Sequence, residues 1–401
     1  MKLDKQIAHI LTDSLVEEIV DIRRRFHQYP ELSFKEFKTS ELIRELLEQW
    51  GIPYTFPHVK TGIVARIEGS FPGKRIALRS DMDALPISEK TGLEFASRNE
   101  GVMHACGHDM HMASLLGTIR VLDKLKHEIH GEILFLFQPG EEMNPGGAKL
   151  MLEEGVFKGR EPDMILAQHV LPEMESGHVG FRSGTYMAST DEIYIRVKGK
   201  GGHAALREHI RDPILMASQI LITLQDRIMA MSPVEVPTVL SFGKVLADGA
   251  VNVIPDEVTL EGTFRTMNEA WRREAHRLME EIASDIAGKM GGSAELEIKH
   301  GYPVLRNHEQ LTIKARSLAV GLLGADRVED MDIRMTAEDF AWFTKDIPGF
   351  LYRLGVKESG AEQAEPLHSP KFRANESALR TGIRLMAYLA IELLKIEAVK
   401  K

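Results

Sequence analysis

Cysteine is nearly absent from this chain: Cys106 is the only one in 401 residues. A lone thiol cannot close an intrachain disulfide, so a disulfide scaffold is excluded and a reducing compartment fits. Positive charge is not in excess either. Lys and Arg number 50 against 59 Asp and Glu, for a net charge of -9 and a pI near 6.0. That excludes the basic surface with which a protein displaces counterions from nucleic acid. Apolar runs are short, and none reads as the roughly 18 residues that span a bilayer. The first twenty residues mix charge with Leu3, Ile7, Ile10, Leu11 and Leu15, a pattern of an amphipathic helix rather than a signal peptide. The expectation is a soluble, cytoplasmic protein with neither nucleic acid nor membrane as partner.

What remains is ordinary globular material, 43% hydrophobic and 27% charged, enough for about two or three domains. Helical periodicity covers Leu15–Gln28 and Thr39–Trp50. Strand patterns follow at Gly62–Ile67, Arg75–Arg79, Glu132–Phe137 and Met164–Ala167, with a helix over Met112–Lys126. Short apolar strands separated by helices predict a mainly parallel α/β sheet, whose ligands gather at the carboxyl ends of the strands. Asp81 and Asp83, Glu141 and Glu142, and His169 each follow one of these strands, which places metal-type donors on one rim.

The rhythm then changes to a strand through Ile193, Ile195 and Val197, a helix opened by Asp212-Pro213, strands Thr238–Val245 and Glu257–Thr266, a helix over Glu269–Lys289, and a strand Ala294–Lys299. This βαββαβ order predicts a ferredoxin-like α/β sandwich inserted at residues 183–301. Residues 1–182 and 302–401 form the surrounding domain, which closes on a helix from about Asn375 to Lys395.

Two clusters carry chemistry. In His104-Ala105-Cys106-Gly107-His108-Asp109 the cysteine reads either as a thiolate ligand for a borderline-soft metal or as a buried thiol beside surface histidines. In Gln138-Pro139-Gly140-Glu141-Glu142, two adjacent carboxylates cannot face the same way. One can ligate a metal while the other stays free as a general base, or both can be solvated. His169 after an apolar run and His368 before Ser369-Pro370 are each ambiguous alone.

Taken together, and in order, Arg24-Arg25-Phe26-His27-Gln28-Tyr29-Pro30-Glu31-Leu32, Ser80-Asp81-Met82-Asp83-Ala84-Leu85-Pro86, the Cys106 cluster, Pro139-Gly140-Glu141-Glu142, Gly199-Lys200-Gly201-Gly202-His203-Ala204-Ala205 and Asn252-Val253-Ile254-Pro255-Asp256 resemble the aminoacylase and glutamate-carboxypeptidase superfamily of dinuclear metal amidohydrolases. The Cys-Gly-His-Asp form resembles its branch of hippurate hydrolases, auxin-conjugate hydrolases and N-acetyl-diaminopimelate deacetylases. The resemblance implies a metallopeptidase-like catalytic domain with an inserted lid and dimerisation domain. It implies that Cys106, His108, Glu142, His169 and His368 hold two divalent ions per subunit, whether zinc, manganese, cobalt or nickel, with Glu141 the unligated base. His104, His111, Asp81 and Asp83 are then supports around the ligands. The resemblance further implies that His203 stabilises the oxyanion from the partner subunit and that Asn252 and Arg265 grip the substrate carboxylate.

The chain departs from the branch at Leu206-Arg207-Glu208-His209, at Thr336-Ala337 before Glu338-Asp339-Phe340, and at Arg373-Ala374. None of these removes a proposed ligand, but two bear on substrate preference. The implied activity is hydrolysis of the amide bond of N-acyl-L-amino acids by a homodimer or homotetramer joined through the inserted domain. The alternatives are a dipeptidase, an N-carbamoyl-amino-acid hydrolase, or an inactive relative that senses conjugates.

Overall fold

The computed structural model describes residues 2–396, which divide into two compact units. The first comprises residues 2–184, 306–332 and 339–396. Helix α1 (Lys2–Ile10) is followed by Thr12, whose side chain accepts the Leu15 amide at 3.3 Å and opens α2 (Asp13–Gln28). The single helix expected over the first twenty residues is therefore two, because a capping hydroxyl satisfies an amide at the break. Met1 lies outside the described residues.

After α3 (Phe37–Gln49) come β1 (Tyr54–His58), β2 (Gly62–Glu68), β3 (Phe71–Asp81), α4 (His108–Lys124), β4 (His130–Gln138) and β5 (Met164–Glu175). The strands join one eight-stranded sheet in the order β1-β2-β4-β3-β5, continued by Gly349–Lys357, Val179–Phe181 and Val328–Asp330. Its centre, from β4 through β3 and β5 to Gly349–Lys357, is parallel. Burial on both faces explains the unbroken apolar runs, such as Ile133–Phe137.

Two expectations about the rim need correction. Asp81 is the last residue of β3, not beyond it, and His169 lies within β5. β5 does not stop at Ala167 because its other edge stays paired, with His169 opposite Arg353. The alignment of donors survives: Asp81 pairs with Gln138, and Arg79 with Ala167, so His169 comes level with Asp81. The predicted helix over Met112–Lys126 also begins four residues earlier, at His108. Its polar first turn hides the start from apolar periodicity.

The second unit comprises Thr185–Leu305 with Ile333–Glu338. Its antiparallel sheet runs Thr238–Leu246, Glu257–Thr266, Ser189–Lys198, Ser293–His300 in space, the ferredoxin-like order. Asp212 caps the helix Pro213–Met231, and Asn268 caps Glu269–Lys289. Both helices pack into the core with Ile193, Ile195, Val197, Val258, Leu260 and Phe264. Contrary to the expectation from apolar runs, Pro213–Met231 is long and apolar enough to cross a membrane by length and composition. It lays one face on this unit's core, burying Met216, Ala217, Ile220, Leu224 and Ile228, while Ile214, Leu215, Ile222, Met229 and Met231 are exposed.

Candidate metal centre

The centre is built within the first unit. Gly107 adopts φ 81°, where a Cβ would lie 2.6 Å from the Val170 side chain. This left-handed residue turns the chain into α4, with Cys106 on the loop and His108 at the first helical position.

His108 Nδ1 donates to the Asp83 carbonyl at 2.8 Å, and His169 Nδ1 to the Val170 carbonyl at 2.8 Å. A carbonyl only accepts, so Nδ1 carries a proton in both rings, which leaves Nε2 as the nitrogen a metal could take. Cys106 Sγ lies 3.6 Å from His169 Nε2. Glu142 Oε1 lies 3.9 Å from His108 Nε2 and 3.2 Å from His368 Nε2. Neither His108 Nε2 nor Glu142 Oε1 makes a hydrogen bond, although both are buried.

All five residues expected as ligands come together. Cys106, His108 and His169 form one donor trio, and Cys106, Glu142 and His368 another, each with atoms within 4.8 Å of one another. His368 has φ 63°, unusual for a non-glycine, and its amide donates to the Ala105 carbonyl at 2.9 Å. That bond ties its loop to the Cys106 loop and holds a conformation that is costly alone.

The electrostatics favour positive charge at this cluster. Burial pushes His108 down, but Asp81, Asp83 and Glu142 overcome it and hold the ring at about 10. Burial, with the charges of Glu142, Glu141 and Asp81, pushes the Cys106 thiol well up. Burial keeps His169 neutral, aided by Arg353. A neutral His169, and a His108 ring and Cys106 thiol that each exchange a proton for the metal beside Glu142 and Asp81, fit a divalent ion.

The surrounding residues hold these donors. Asp81, on β3, accepts from Arg79 Nη1 at 2.7 Å and His111 Nδ1 at 2.6 Å. His111 Nε2 accepts the Val170 amide at 2.9 Å, which occupies that nitrogen. Asp83 accepts the Glu141 amide at 3.0 Å, the Glu142 amide at 2.9 Å and the Ser33 hydroxyl at 2.6 Å. Burial lowers His104 to about 3, and neither of its ring nitrogens makes a hydrogen bond. Glu141 is 6% exposed, so it faces the interior, and the Asp339 amide reaches its Oε1 at 3.4 Å.

Sequence reasoning missed three supports: Glu36, Arg79 and Asp339. Arg79 was visible as a lone charge after the apolar Ile76-Ala77-Leu78 of β3. It is 1% exposed and bridges Asp81, Gln138 and Asp339.

In the second unit, His203 pairs with Val253 across a short two-stranded ribbon, and the Ala204 amide donates to Asn252. The ribbon therefore brings exposed His203 and Asn252 together. Arg265, half-buried on Glu257–Thr266, donates to the Met335 carbonyl at 3.1 Å. Asp191, His276 and His300 also gather donor atoms here. There, however, Arg272 grips Asp191 through two bonds of 2.8 and 2.5 Å and already supplies the counter-charge.

Comparison with known proteins is now decisive, since a profile of peptidase family M20/M25/M40 matches residues 77–392. The chain belongs to that family. Among curated relatives, an N-acyl-L-amino acid amidohydrolase of Geobacillus stearothermophilus is 41% identical, over 77% of this chain and 83% of its own length. An N-acetylcysteine deacetylase of Bacillus subtilis is 38% identical, over 94% of this chain and 97% of its own. The solved YXEP protein of Bacillus subtilis, described as a dinuclear metal binding peptidase, superposes with a TM-score of 0.84 at 36% identity. That match covers 96% of this chain and 99% of YXEP. As a member of the M20/M25/M40 family the chain is a hydrolytic enzyme, and the matched region contains every donor of the cluster.

Proposed function

We propose that this protein hydrolyses the amide bond of N-acyl-L-amino acids, releasing a carboxylic acid and a free amino acid. The observation that carries the reading is the pair of donor trios sharing Cys106, with Glu141 buried beside them. Cys106, His108, Glu142, His169 and His368 hold two divalent ions, of which zinc, manganese, cobalt or nickel suits this mixture of S, N and O donors. When bound, the ions supply Lewis acidity for the amide carbonyl and make water more acidic. Glu141 takes a proton from the attacking water as its oxygen bonds to the amide carbon. The same carboxyl delivers that proton to the nitrogen as the C–N bond breaks. His203 stabilises the oxyanion from a partner subunit, and Asn252 and Arg265 bind the α-carboxylate, for which a planar guanidinium is well shaped.

The inserted unit serves as lid and as the joint of a homodimer or homotetramer. Its exposed Ile214, Leu215, Ile222, Met229 and Met231 along one helix support that role. A cytoplasmic location agrees with the single cysteine. One observation favours a second reading, a peptide substrate: a thermostable carboxypeptidase 1 of Saccharolobus solfataricus is 38% identical over 93% of this chain.

The test is a panel of acetyl-, benzoyl- and indolylacetyl-amino acids, with blocked and free dipeptides, after loading with zinc, manganese, cobalt or nickel in turn. Release of free amino acid from acyl substrates supports the proposal. Cleavage of dipeptides alone transfers it to the second reading, and no cleavage by metal-loaded protein overturns both.

A further inference from the structure

The turn that carries Glu141 and Glu142 is held by its own backbone. Three successive amides point at two carboxylates: Gly140 N–H to Glu36 Oε1 at 2.9 Å, Glu141 N–H to Asp83 Oδ1 at 3.0 Å, and Glu142 N–H to Asp83 Oδ2 at 2.9 Å. Glu36 lies far away in sequence, just ahead of α3, and is fully buried. Its Oε1 also accepts the Phe34 amide at 2.9 Å, and its Oε2 the Thr61 hydroxyl at 2.7 Å. Phe34 covers the turn from the same side: a Cβ on Gly140, which has φ 62°, would meet the Phe34 ring at 2.3 Å. Segment 33–36 thus clamps the turn through Ser33 on Asp83, the Phe34 ring on Gly140, and the Glu36 carboxyl on the Gly140 amide.

We infer that Glu36 is a positioning residue for the reaction, setting Glu141 and Glu142 in place through the Gly140 amide. The inference rests on the roles proposed above for those two glutamates. The electrostatics agree, since burial and the charge of Asp83 push Glu36 up to about 7. A buried carboxyl beside another is costly, and well-packed apolar side chains often serve stability at least as well. A group kept at such cost, with every oxygen engaged and one bond aimed at a catalytic turn, is explained by geometry.

Gln and Asp substitutions separate geometry from charge. Glu36→Gln preserves an oxygen at the Oε1 position; Glu36→Asp preserves the carboxylate but withdraws it by one methylene. The purified variants are compared with wild type by competition of bound zinc against a chelator, and by kcat and KM on the substrate the panel identifies. Glu36→Asp is expected to hold zinc at least about tenfold more weakly and to lose at least about tenfold in kcat, with KM within about threefold. Glu36→Gln is expected to stay within about threefold of wild type in all three. Glu36→Asp matching wild type in zinc retention and kcat, or Glu36→Gln failing as badly as Glu36→Asp while melting no lower than wild type, would overturn the inference. If the wild type cleaves nothing on the panel, the proposed function fails while zinc competition still decides the role of Glu36.

Discussion

Cys106 Sγ and His169 Nε2 stand 3.6 Å apart, brought together across 63 positions of sequence by a loop and a parallel strand. Burial and neighbouring carboxylates keep the free thiol protonated, so uptake of a divalent ion has to expel that proton. Metal loading is therefore expected to release protons and to tighten as pH rises. Cys106→Ser should weaken retention at least about tenfold, because a hydroxyl is a poor ligand for borderline-soft ions. Elemental analysis after chelator challenge reads this directly, and two ions held as firmly as in wild type would remove Cys106 from the ligand set.

Glu141→Ala separates base from ligand. If Glu141 moves protons and Glu142 coordinates, the variant should keep its metal while turnover falls by at least about a hundredfold. Glu142→Ala should instead lose metal. Measured side by side, near-normal turnover in Glu141→Ala, or metal loss equal to that of Glu142→Ala, would defeat the assignment.

The sequence made the donors legible but not what holds them. Cys106, His108 and Glu142 stand out in clustered motifs, whereas His169 and His368 are ambiguous alone and join the set only through the family resemblance. Glu36 and Asp339 carry no such mark, since their meaning lies in contacts to Gly140 and Arg79 across 104 and 260 positions. Periodicity located the strands but not the length of β5, whose extension depends on pairing with Gly349–Lys357. It also placed the start of α4 too late, because His108 and Asp109 interrupt the apolar pattern.

Arg79 tests how far the site depends on a buried network. Its guanidinium lies 2.7 Å from both Asp81 Oδ2 and Asp339 Oδ1. Arg79→Met leaves two interior carboxylates without their cation, and breaking such a pair from one side costs about 3–5 kcal/mol. Denaturant unfolding should show that loss. Adding Asp339→Asn should recover part of it, because one uncompensated charge is removed. Destabilisation below about 1 kcal/mol would mean the network is solvated.

The role proposed for His203 across subunits predicts complementation. A His203→Ala chain and a Glu141→Ala chain, each inactive alone, should regain activity when mixed and exchanged, since one mixed site then contains both intact groups. Tagged heterodimers isolated without any recovery would place the function of His203 within its own chain.

Glu36 gives the pH prediction with a definite sign. Its carboxyl is raised from 4.5 to about 7 by burial first and by Asp83 second, against the Thr61, Phe34 and Gly140 donors that favour its charged form. The folded state then binds the proton more tightly than the unfolded state. Its contribution to stability is complete below about pH 4.5 and is lost as pH rises through about 7. The loss has a ceiling of about 3 kcal/mol, from 1.36 kcal/mol per pKa unit. Glu36→Gln is neutral at every pH and escapes it. The melting temperature of the variant should therefore gain on wild type between pH 5 and pH 8, which a scan of both proteins in matched buffers measures. Curves that run parallel across that interval would show that Glu36 ionises as an ordinary surface carboxylate does.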